Sequence, residues 1–330
     1  MESDPEITVV STAGNGDAAL RTLHRAEIDT VILDVEMPVM DGLTALPLIL
    51  RDFPHVHVIM ASSLAREGAE TKVKALALGA AECIAKPLAT STAESIASLI
   101  EELIPLVRAL GKARKLTVDA GTASGTRPIP VRTPLAARQA ISPAVVIIGT
   151  STGGPNALSA VVKGLPQDFP LPILIVQHMP PTFTPMLAKH LEIDGKRPCR
   201  EAVDLGPIER GHTYVAPGDF HMEIDRIENR MVTRLNRNPP EHFCRPSVNP
   251  LFRTAAQWYG NRVLAVMLTG MGEDGIEGTR DVVANNGRVI SQDQATSVVW
   301  GMPAAVVREN LADEIVPLDQ VAPTILRICA

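Results

Sequence analysis

The stretch that decides the fold is VVIIGTSTGGP, residues 145–155. Four β-branched residues predict a short buried strand, and the small residues behind them predict a sharp turn into a helix. Such a turn exposes Ser151 at the end of the strand, where free N–H groups of the helix face whatever the serine attacks. The pattern is typical of a nucleophile and favours a hydrolase. A glycine-rich turn could equally hold a phosphate, but the stretch contains no G-x-G-x-x-G motif and no lysine follows it.

The composition describes a water-soluble chain with room for two domains. Its 330 residues are 45% hydrophobic and 21% charged, with a formal net charge of −6. The acidic balance argues against nucleic-acid binding, and no apolar run approaches the ~20 residues of a membrane span. The four cysteines lack C-x-x-C spacing, which favours reduced thiols over disulfides or a zinc site. We therefore expect a cytoplasmic protein that neither binds nucleic acid nor inserts into a membrane.

Two α/β halves and a linker follow from the order of the patterns along the chain. Strand-like and helix-like pieces alternate over residues 6–88, which predicts a parallel sheet. Residues 112–142 lose this periodicity and are rich in Pro, Gly, Ser and Thr. We predict a first domain over 1–105, a helix end and linker over 106–142, and a second domain over 143–330. The strands predicted in the first domain are 7–11, 31–35, 57–61 and 82–85, and its helices are 17–26, 43–52, 69–78 and 92–111.

Three side chains capable of acyl-transfer chemistry follow strands of the second half. Ser151, His178 and Asp274 come after strands predicted at 145–149, 173–177 and 263–269, and open α/β sheets bind ligands at such ends. A serine needs a neighbouring base, and the imidazole needs a carboxylate to orient it. Taken alone, the histidine could be structural and the aspartate could belong to a turn. The order Ser, His, Asp disfavours the α/β-hydrolase topology, which runs Ser, Asp, His.

Several further motifs stand in a fixed order with these residues. They are IGTSTGGP from Ile148, QHMP from Gln177, YVAPGDFHM from Tyr214, RPSV from Arg245, LTGMGEDG from Leu268 and ATSVVWGMP from Ala295. Together they resemble the catalytic domain of the chemotaxis protein-glutamate methylesterases, the CheB family. The resemblance implies a doubly wound, three-layer α/β/α fold with a mainly parallel sheet, in which residues 221–224 and 231–235 form an antiparallel excursion.

The resemblance also implies residue roles and a substrate. Ser151 is the expected nucleophile, His178 the general base and acid, and Asp274 the residue that orients the histidine. The backbone N–H groups of His178 and Met271 would form the oxyanion hole. The expected substrates are methylated glutamates of chemoreceptors, with glutamine deamidation as a related activity and no cofactor for catalysis. Asn249 stands where the family usually has aspartate, and we expect no contact between it and the three catalytic side chains.

The first half ends a hydrophobic strand with Asp34, and the next two strands with Ser62 and Lys86. A hydroxyl and an ammonium group beside a carboxylate suit a phosphoryl acceptor. This half resembles a response-regulator receiver domain with a flavodoxin-like fold. The resemblance implies that a chemotaxis histidine kinase phosphorylates Asp34, that Ser62 and Lys86 act as switch residues, and that Asp34 binds Mg²⁺.

One departure concerns the start of the receiver half. Receivers open with a strand that ends in an acidic pair for Mg²⁺, followed by a helix, whereas this chain begins with MESDPE. We therefore expect the first strand and helix to be lacking, and Asp34 to lack its metal-binding partners. We hypothesise that the true start lies upstream and that Mg²⁺ binds only when that segment is present.

Three functions remain open from the sequence. The main hypothesis is an esterase regulated by phosphorylation of its receiver domain. The second is a chemosensory docking module with a vestigial esterase site. The third is an esterase for another protein ester or a small molecule.

Overall fold

The chain divides into two compact units, residues 1–126 and 127–330. The computed structural model describes residues 4–62, 74–76, 78–86, 99–100, 103–111 and 142–330. Most of the predicted linker, 112–141, lies outside the described residues, as do parts of the helices predicted at 69–78 and 92–111. The described parts 74–76, 99–100 and 103–111 are helical. The domain boundaries themselves stay a prediction.

The first unit contains a sheet of three parallel strands. These are β1 (Thr30–Asp34), β2 (His57–Ser62) and β3 (Glu82–Ala85), in that order across the sheet. Helices α1 (Gly16–Leu23) and α2 (Gly42–Asp52) pack against each other. The predicted alternation of strand and helix is therefore confirmed for these elements.

Both helices begin at side chains that cap them. Asn15 accepts a hydrogen bond from the backbone N–H of Ala18 at 2.8 Å, and Asp41 accepts one from Thr44 at 2.7 Å. Each cap satisfies an N–H group that lacks a partner in the first turn. The cap at Asp41 fixes the start of α2, directly behind the loop that follows β1.

The strand predicted at 7–11 was wrong. These residues adopt no regular structure, and Val9 and Val10 are 40% and 53% exposed. A flavodoxin-like sheet has the strand order 2-1-3-4-5, so this segment would pair with a strand lying between it and β1. No described residue forms such a strand, and the outer edge of β1 has no partner among the described residues. Without a neighbouring ladder, the backbone of residues 7–11 has no strand to hydrogen-bond with.

The second unit contains nine further strands. They are β4 (Val145–Thr150), β5 (Ile173–Gln177), β6 (Cys199–Glu201), β7 (Thr213–Val215), β8 (His221–Ile227), β9 (Arg230–Asn236), β10 (Val263–Met267), β11 (Arg288–Gln292) and β12 (Glu314–Val316). Seven of them form a parallel sheet in the order β12-β11-β10-β4-β5-β7-β6. The remaining two, β8 and β9, pair as an antiparallel hairpin, which confirms the predicted excursion.

Six helices and one 3-10 turn complete this unit. They are α3 (Gly154–Gly164), α4 (Thr184–Gly195), α5 (Val248–Tyr259), the 3-10 turn (Gly260–Arg262), α6 (Ile276–Ala284), α7 (Met302–Arg308) and α8 (Leu318–Cys329). Helix α3 packs against α4 and α8, while α6 packs against α5 and α7. Val145 and Ile147 belong to the core beneath α5 and α6. Alternation along the strand turns Val146 and Ile148, which are equally buried, toward the other helices.

The strand order explains where a site can form. The chain enters the sheet at β4, in its centre, and later returns to the opposite side of β4 as β10. In doubly wound sheets the crevice at such a reversal is the usual ligand site. No helix within the described ranges is long and apolar enough to cross a membrane.

Candidate active site

Ser151 lies in a tight turn between β4 and α3. Gly153 caps the helix with φ of +77°, a conformation that side chains rarely adopt, and a Cβ there would lie 2.6 Å from Cβ of Val298. Pro155 occupies the first turn of α3, where its missing N–H costs no hydrogen bond. The backbone N–H of Ser151 donates to the carbonyl of Thr269 at 3.0 Å. The predicted elbow is therefore present and leaves Ser151 half-buried.

His178 follows the strand next to that of Ser151. Thr150 and Gln177 are register partners in β4 and β5, so Ser151 and His178 occupy successive positions at the same edge of the sheet. Parallel strands lie about 4.8 Å apart, which brings the two residues into neighbouring positions. The amide of Gln177 donates to the carbonyls of both Ser151, at 2.9 Å, and His178, at 3.0 Å. This buried glutamine holds the two turns together.

Asp274 accepts hydrogen bonds from three groups. Its Oδ2 lies 2.7 Å from Nε2 of His178 and also accepts from the backbone N–H of Val248 at 2.7 Å. Its Oδ1 accepts from the hydroxyl of Ser247 at 2.6 Å. The carboxylate is buried, and these donors orient both of its oxygens. The contact between His178 and Asp274 has the geometry in which a carboxylate fixes the tautomer of an imidazole.

The hydrogen bonds around His178 and Asp274 favour the charged form of both side chains. Burial alone would lower the pKa of His178, but its hydrogen bonds to Asp274 and Cys244 outweigh burial and raise the pKa to about 9. Burial acts to raise the pKa of Asp274, yet the hydrogen bonds from His178, Ser247 and Val248 hold it below its usual range. A charged pair in a buried place needs such additional donors to offset lost hydration. At neutral pH the resting site therefore holds an imidazolium beside a carboxylate.

Cys244 faces the other nitrogen of the same ring. Its Sγ lies 3.5 Å from Nδ1 of His178, and both side chains are partly buried. Oγ of Ser151 makes no hydrogen bond to any described residue. Sequence reasoning missed the roles of Cys244, which directly precedes the RPSV motif, and of Ser247, the third residue of that motif. The signal was the position of Ser247 inside a family motif and of Cys244 next to it.

The two backbone N–H groups expected to form the oxyanion hole differ in whether they already have a hydrogen-bond acceptor. The backbone N–H of Met271 donates to no described residue, whereas that of His178 donates to the carbonyl of Thr150 at 3.2 Å. The N–H of Met271 is therefore available to a ligand. The N–H of His178 would have to break its 3.2 Å hydrogen bond to Thr150 or donate to both acceptors. The assignment of these two donors stays a prediction.

A second segment holds the Met271 loop in place. The carbonyl of Gly270 accepts from the N–H groups of Gly301 and Met302, at 3.0 and 2.9 Å. The hydroxyl of Thr269 donates to the carbonyl of Thr152 at 2.9 Å, which ties the loop to the Ser151 turn. The motif at 295–303 thus acts by positioning the loop that carries Met271.

Asn249 is linked to Asp274 only through the hydroxyl of Ser247. Its Nδ2 donates to Glu277 at 2.8 Å, and its Oδ1 accepts from the backbone N–H of Gly278 at 2.9 Å. The side chain makes no hydrogen bond to Ser151, His178 or Asp274. Only its backbone N–H reaches toward the site, donating to the hydroxyl of Ser247 at 3.2 Å.

In the first unit, Asp34, Ser62 and Lys86 lie at the ends of adjacent strands. Nζ of Lys86 is 2.6 Å from Oδ1 of Asp34, and the Lys86 backbone N–H donates to the carbonyl of Ser62 at 2.7 Å. Gly42 permits the loop to close over this site, since a Cβ there would lie 2.1 Å from the carbonyl oxygen of Asp34. The carboxylate is 38% exposed. The structure thus brings together the three residues that the sequence singled out in this half.

Comparison with known proteins identifies the family to which each unit is similar. Residues 146–325 match the family model of the CheB methylesterases, and residues 1–97 match that of the response regulator receiver domain. The chain is 44% identical to the protein-glutamate methylesterase/protein-glutamine glutaminase 1 of Rhodospirillum rubrum, over 99% of this chain and 90% of that protein. This chain belongs to the CheB methylesterase family.

Two other proteins support the same membership. The protein-glutamate methylesterase/protein-glutamine glutaminase of Azospirillum brasilense is 41% identical over the full chain and 88% of its own length. The CheB methylesterase catalytic domain of Thermotoga maritima superposes with a TM-score of 0.56 at 38% identity, covering 57% of this chain and 100% of that domain. The doubly wound sheet of the second unit is therefore the CheB catalytic fold.

The receiver part of a CheB protein implies a Mg²⁺ ion beside the acceptor aspartate. Mg²⁺ requires near-octahedral oxygen ligands, commonly one or two carboxylates with several waters. Here Asp34 is engaged by Lys86 and by the backbone N–H of Glu36 at 3.0 Å. Among the described residues no group of three metal-ligating side chains includes Asp34. The described residues therefore do not build a Mg²⁺ site.

Proposed function

We propose that this protein hydrolyses the methyl esters of glutamate side chains in chemoreceptors, through an acyl-enzyme on Ser151. The observation that carries the proposal is the 2.7 Å contact between His178 and Asp274, at the strand ends beside the serine turn. The relatives are protein-glutamate methylesterases/protein-glutamine glutaminases, which supports this substrate class. The site would act on the cytoplasmic part of the receptors.

In the first half-reaction, Ser151 attacks the ester carbonyl while Nδ1 of His178 takes the hydroxyl proton. Asp274 keeps its hydrogen bond to Nε2 and stabilises the imidazolium that forms. The negative charge on the carbonyl oxygen is met by the free N–H of Met271, with that of His178 as the second donor. Collapse of this intermediate transfers the proton from His178 to the departing methoxide, which leaves as methanol.

In the second half-reaction, water repeats the attack on the acyl-enzyme. His178 takes a proton from the water and returns it to Oγ of Ser151, so that the product is a free glutamate. A glutamine side chain would follow the same route with ammonia as the leaving group. We propose this deamidation as the second activity.

The resting structure must change slightly before Ser151 reacts. Nδ1 of His178 faces Cys244, and the serine hydroxyl makes no hydrogen bond to the described residues. Catalytic hydrogen bonds are commonly loose without substrate and tighten in the complex. We infer that substrate binding brings Oγ of Ser151 to Nδ1, and that loss of a proton from the imidazolium accompanies it.

Regulation is proposed for the first unit. Asp34 is the proposed phosphoryl acceptor from a chemotaxis histidine kinase, with Lys86 and Ser62 as the groups that respond to the new phosphate. The 2.6 Å contact between Lys86 and Asp34 supports this assignment. A phosphate would bring further oxygen acceptors to this ammonium group.

Methanol release from methylated receptor fragments tests the proposal. The full chain is compared with Ser151→Ala and with Ser159→Ala, a matched control in α3 whose hydroxyl donates to Asp194 of α4. We expect release by the wild type and the control, and a loss of about 10³-fold or more in Ser151→Ala. A small-molecule phosphodonor is included in a parallel series, so that an inhibited enzyme is distinguished from an inactive one.

Other outcomes would point to the alternatives. Absence of methanol in both series would favour a docking module with a vestigial site. Release that persists in Ser151→Ala would exclude this serine as the nucleophile. Hydrolysis of small esters without any release from receptors would favour a different substrate.

A further inference from the structure

The second nitrogen of the catalytic imidazole faces a thiol as well as the serine turn. Nδ1 of His178 and Sγ of Cys244 are 3.5 Å apart, and Asp274 holds the opposite nitrogen. Within the described residues, His178, Cys244 and Asp274 form the one group of three metal-ligating side chains, with their ligand atoms within 4.8 Å of one another. We propose that His178 and Cys244 bind a zinc ion, with Asp274 supporting the histidine.

The separation of the two ligand atoms fits one zinc ion. Zinc binds thiolate sulfur at about 2.3 Å and imidazole nitrogen at about 2.0–2.1 Å, in tetrahedral geometry. Two such ligands on one ion lie about 3.6 Å apart. The observed separation of 3.5 Å between Nδ1 of His178 and Sγ of Cys244 matches this value.

Asp274 would support the histidine ligand by accepting a hydrogen bond from its other ring nitrogen, Nε2. Histidine ligands usually donate their second ring N–H to a carboxylate, which fixes the tautomer and makes the other nitrogen a better donor. Here the carboxylate lies 2.7 Å from Nε2, and it is oriented by the hydroxyl of Ser247 and the N–H of Val248. Once the imidazolium has lost its Nδ1 proton, Nδ1 offers a lone pair on the side of the ring that faces Cys244.

The remaining coordination positions would be open to water. His178 and Cys244 are both only partly buried, so an ion can reach them from solvent. A sulfur and an imidazole ligand select zinc over Mg²⁺ and Ca²⁺, which prefer oxygen. Binding releases two protons to solvent, one from the thiol and one from the imidazolium, since zinc binds the thiolate and the neutral imidazole. The site is thus an open zinc site with two protein ligands.

The proposed ion would compete with catalysis. Zinc would hold the same Nδ1 lone pair that must accept the proton of Ser151, so zinc binding would inhibit the esterase. This inhibition rests on the proposed function, whereas binding itself depends only on His178 and Cys244. The two statements can therefore fail separately.

Titration of the full chain with Co²⁺, as a spectroscopic substitute for zinc, tests the binding. We expect a thiolate-to-cobalt charge-transfer band that zinc abolishes. The band should persist in Ser151→Ala and in Cys329→Ser, whose thiol is also partly buried. Loss of a residue that only supports a metal ligand costs about 10–100-fold in metal affinity. Cys244→Ser and His178→Gln each remove a ligand, so their zinc affinity should fall by more than that.

A measurement on the unmodified chain guards against misfolded variants. Zinc should protect Cys244 from alkylation, read by mass spectrometry, while Cys329 reacts at an unchanged rate. A wild type without the cobalt band, or a band unchanged in Cys244→Ser, would overturn the zinc site. Zinc binding without inhibition would leave the site standing and contradict the role of Nδ1 in the proposed mechanism.

Discussion

Asp274 holds Nε2 of His178 at 2.7 Å, in a buried place where its two oxygens already accept hydrogen bonds from Ser247 and Val248. Three donors around one carboxylate keep it ionised, and the ionised carboxylate keeps the imidazole charged at rest.

Asp274→Asn should abolish most of the activity without unfolding the protein. The amide keeps the shape of the side chain but favours the wrong imidazole tautomer, which costs about 10⁴-fold in kcat in a serine protease triad. Methanol release measures the loss. Asp281→Asn, on the exposed side of α6, serves as the matched control and should keep wild-type activity. A loss smaller than about tenfold would mean that Asp274 does not orient the base.

The activity should rise with pH through the alkaline range. His178 must be neutral to accept a proton, and its pKa is raised to about 9, so kcat/KM should increase from neutral pH up to about that value. Cys244→Ala removes one of the hydrogen bonds that raise the pKa, and the midpoint should move down. Cys329→Ala is the control. A midpoint near 6.5 in the wild type would contradict the charged resting pair.

The same shift predicts how the free energy of unfolding depends on pH. A histidine whose folded pKa lies above its unfolded value contributes stability that is fully present below about pH 6.5 and lost as pH rises through about 9. The wild type should therefore lose about 3 kcal/mol relative to His178→Gln across this window. Denaturant unfolding at a series of pH values measures it, with His190→Gln on α4 as the control. Parallel curves for wild type and His178→Gln would refute the shift.

Ser247→Ala should destabilise the second unit by about 1–3 kcal/mol. The hydroxyl donates to Asp274 at 2.6 Å and accepts from the N–H of Asn249 at the start of α5, so its loss leaves a buried carboxylate oxygen and a helix start without partners. Ser297→Ala is the matched control, because that buried hydroxyl bonds only to a backbone carbonyl. Equal losses of unfolding free energy in both variants would show that the hydrogen bond to Asp274 contributes no more than one to a backbone carbonyl.

Phosphorylation of the full chain should depend on Asp34. Asp34→Asn should abolish phosphoryl incorporation from a small-molecule donor, whereas Asp52→Asn, at an exposed carboxylate beside Arg51, should not. Lys86→Ala should keep basal methanol release and lose its increase with the donor, because Lys86 contacts Asp34. Labelling that survives Asp34→Asn would place the acceptor elsewhere, and a wild type that takes no label would rule out this regulation.

Much of the fold could be predicted because strand periodicity is local. The runs that end at Thr150 and Gln177 are strands with every residue buried, and the small residues after Thr150 form the expected turn. The failure at residues 7–11 has a physical cause that no local pattern contains. A strand exists only when a neighbour completes its hydrogen bonds, and the described residues provide none there.

By itself, the sequence determined the parallel α/β architecture, the family motifs and the residue types at the strand ends, because each depends on a few neighbouring positions. Only the tertiary structure decided that Cys244, separated from His178 by 66 positions, lies 3.5 Å from its ring, and that Ser247 supports Asp274. Contacts between distant segments depend on how helices and loops pack against a finished sheet. That packing brings a thiol, an imidazole and a carboxylate together, and no spacing of these residues along the chain predicts their contact.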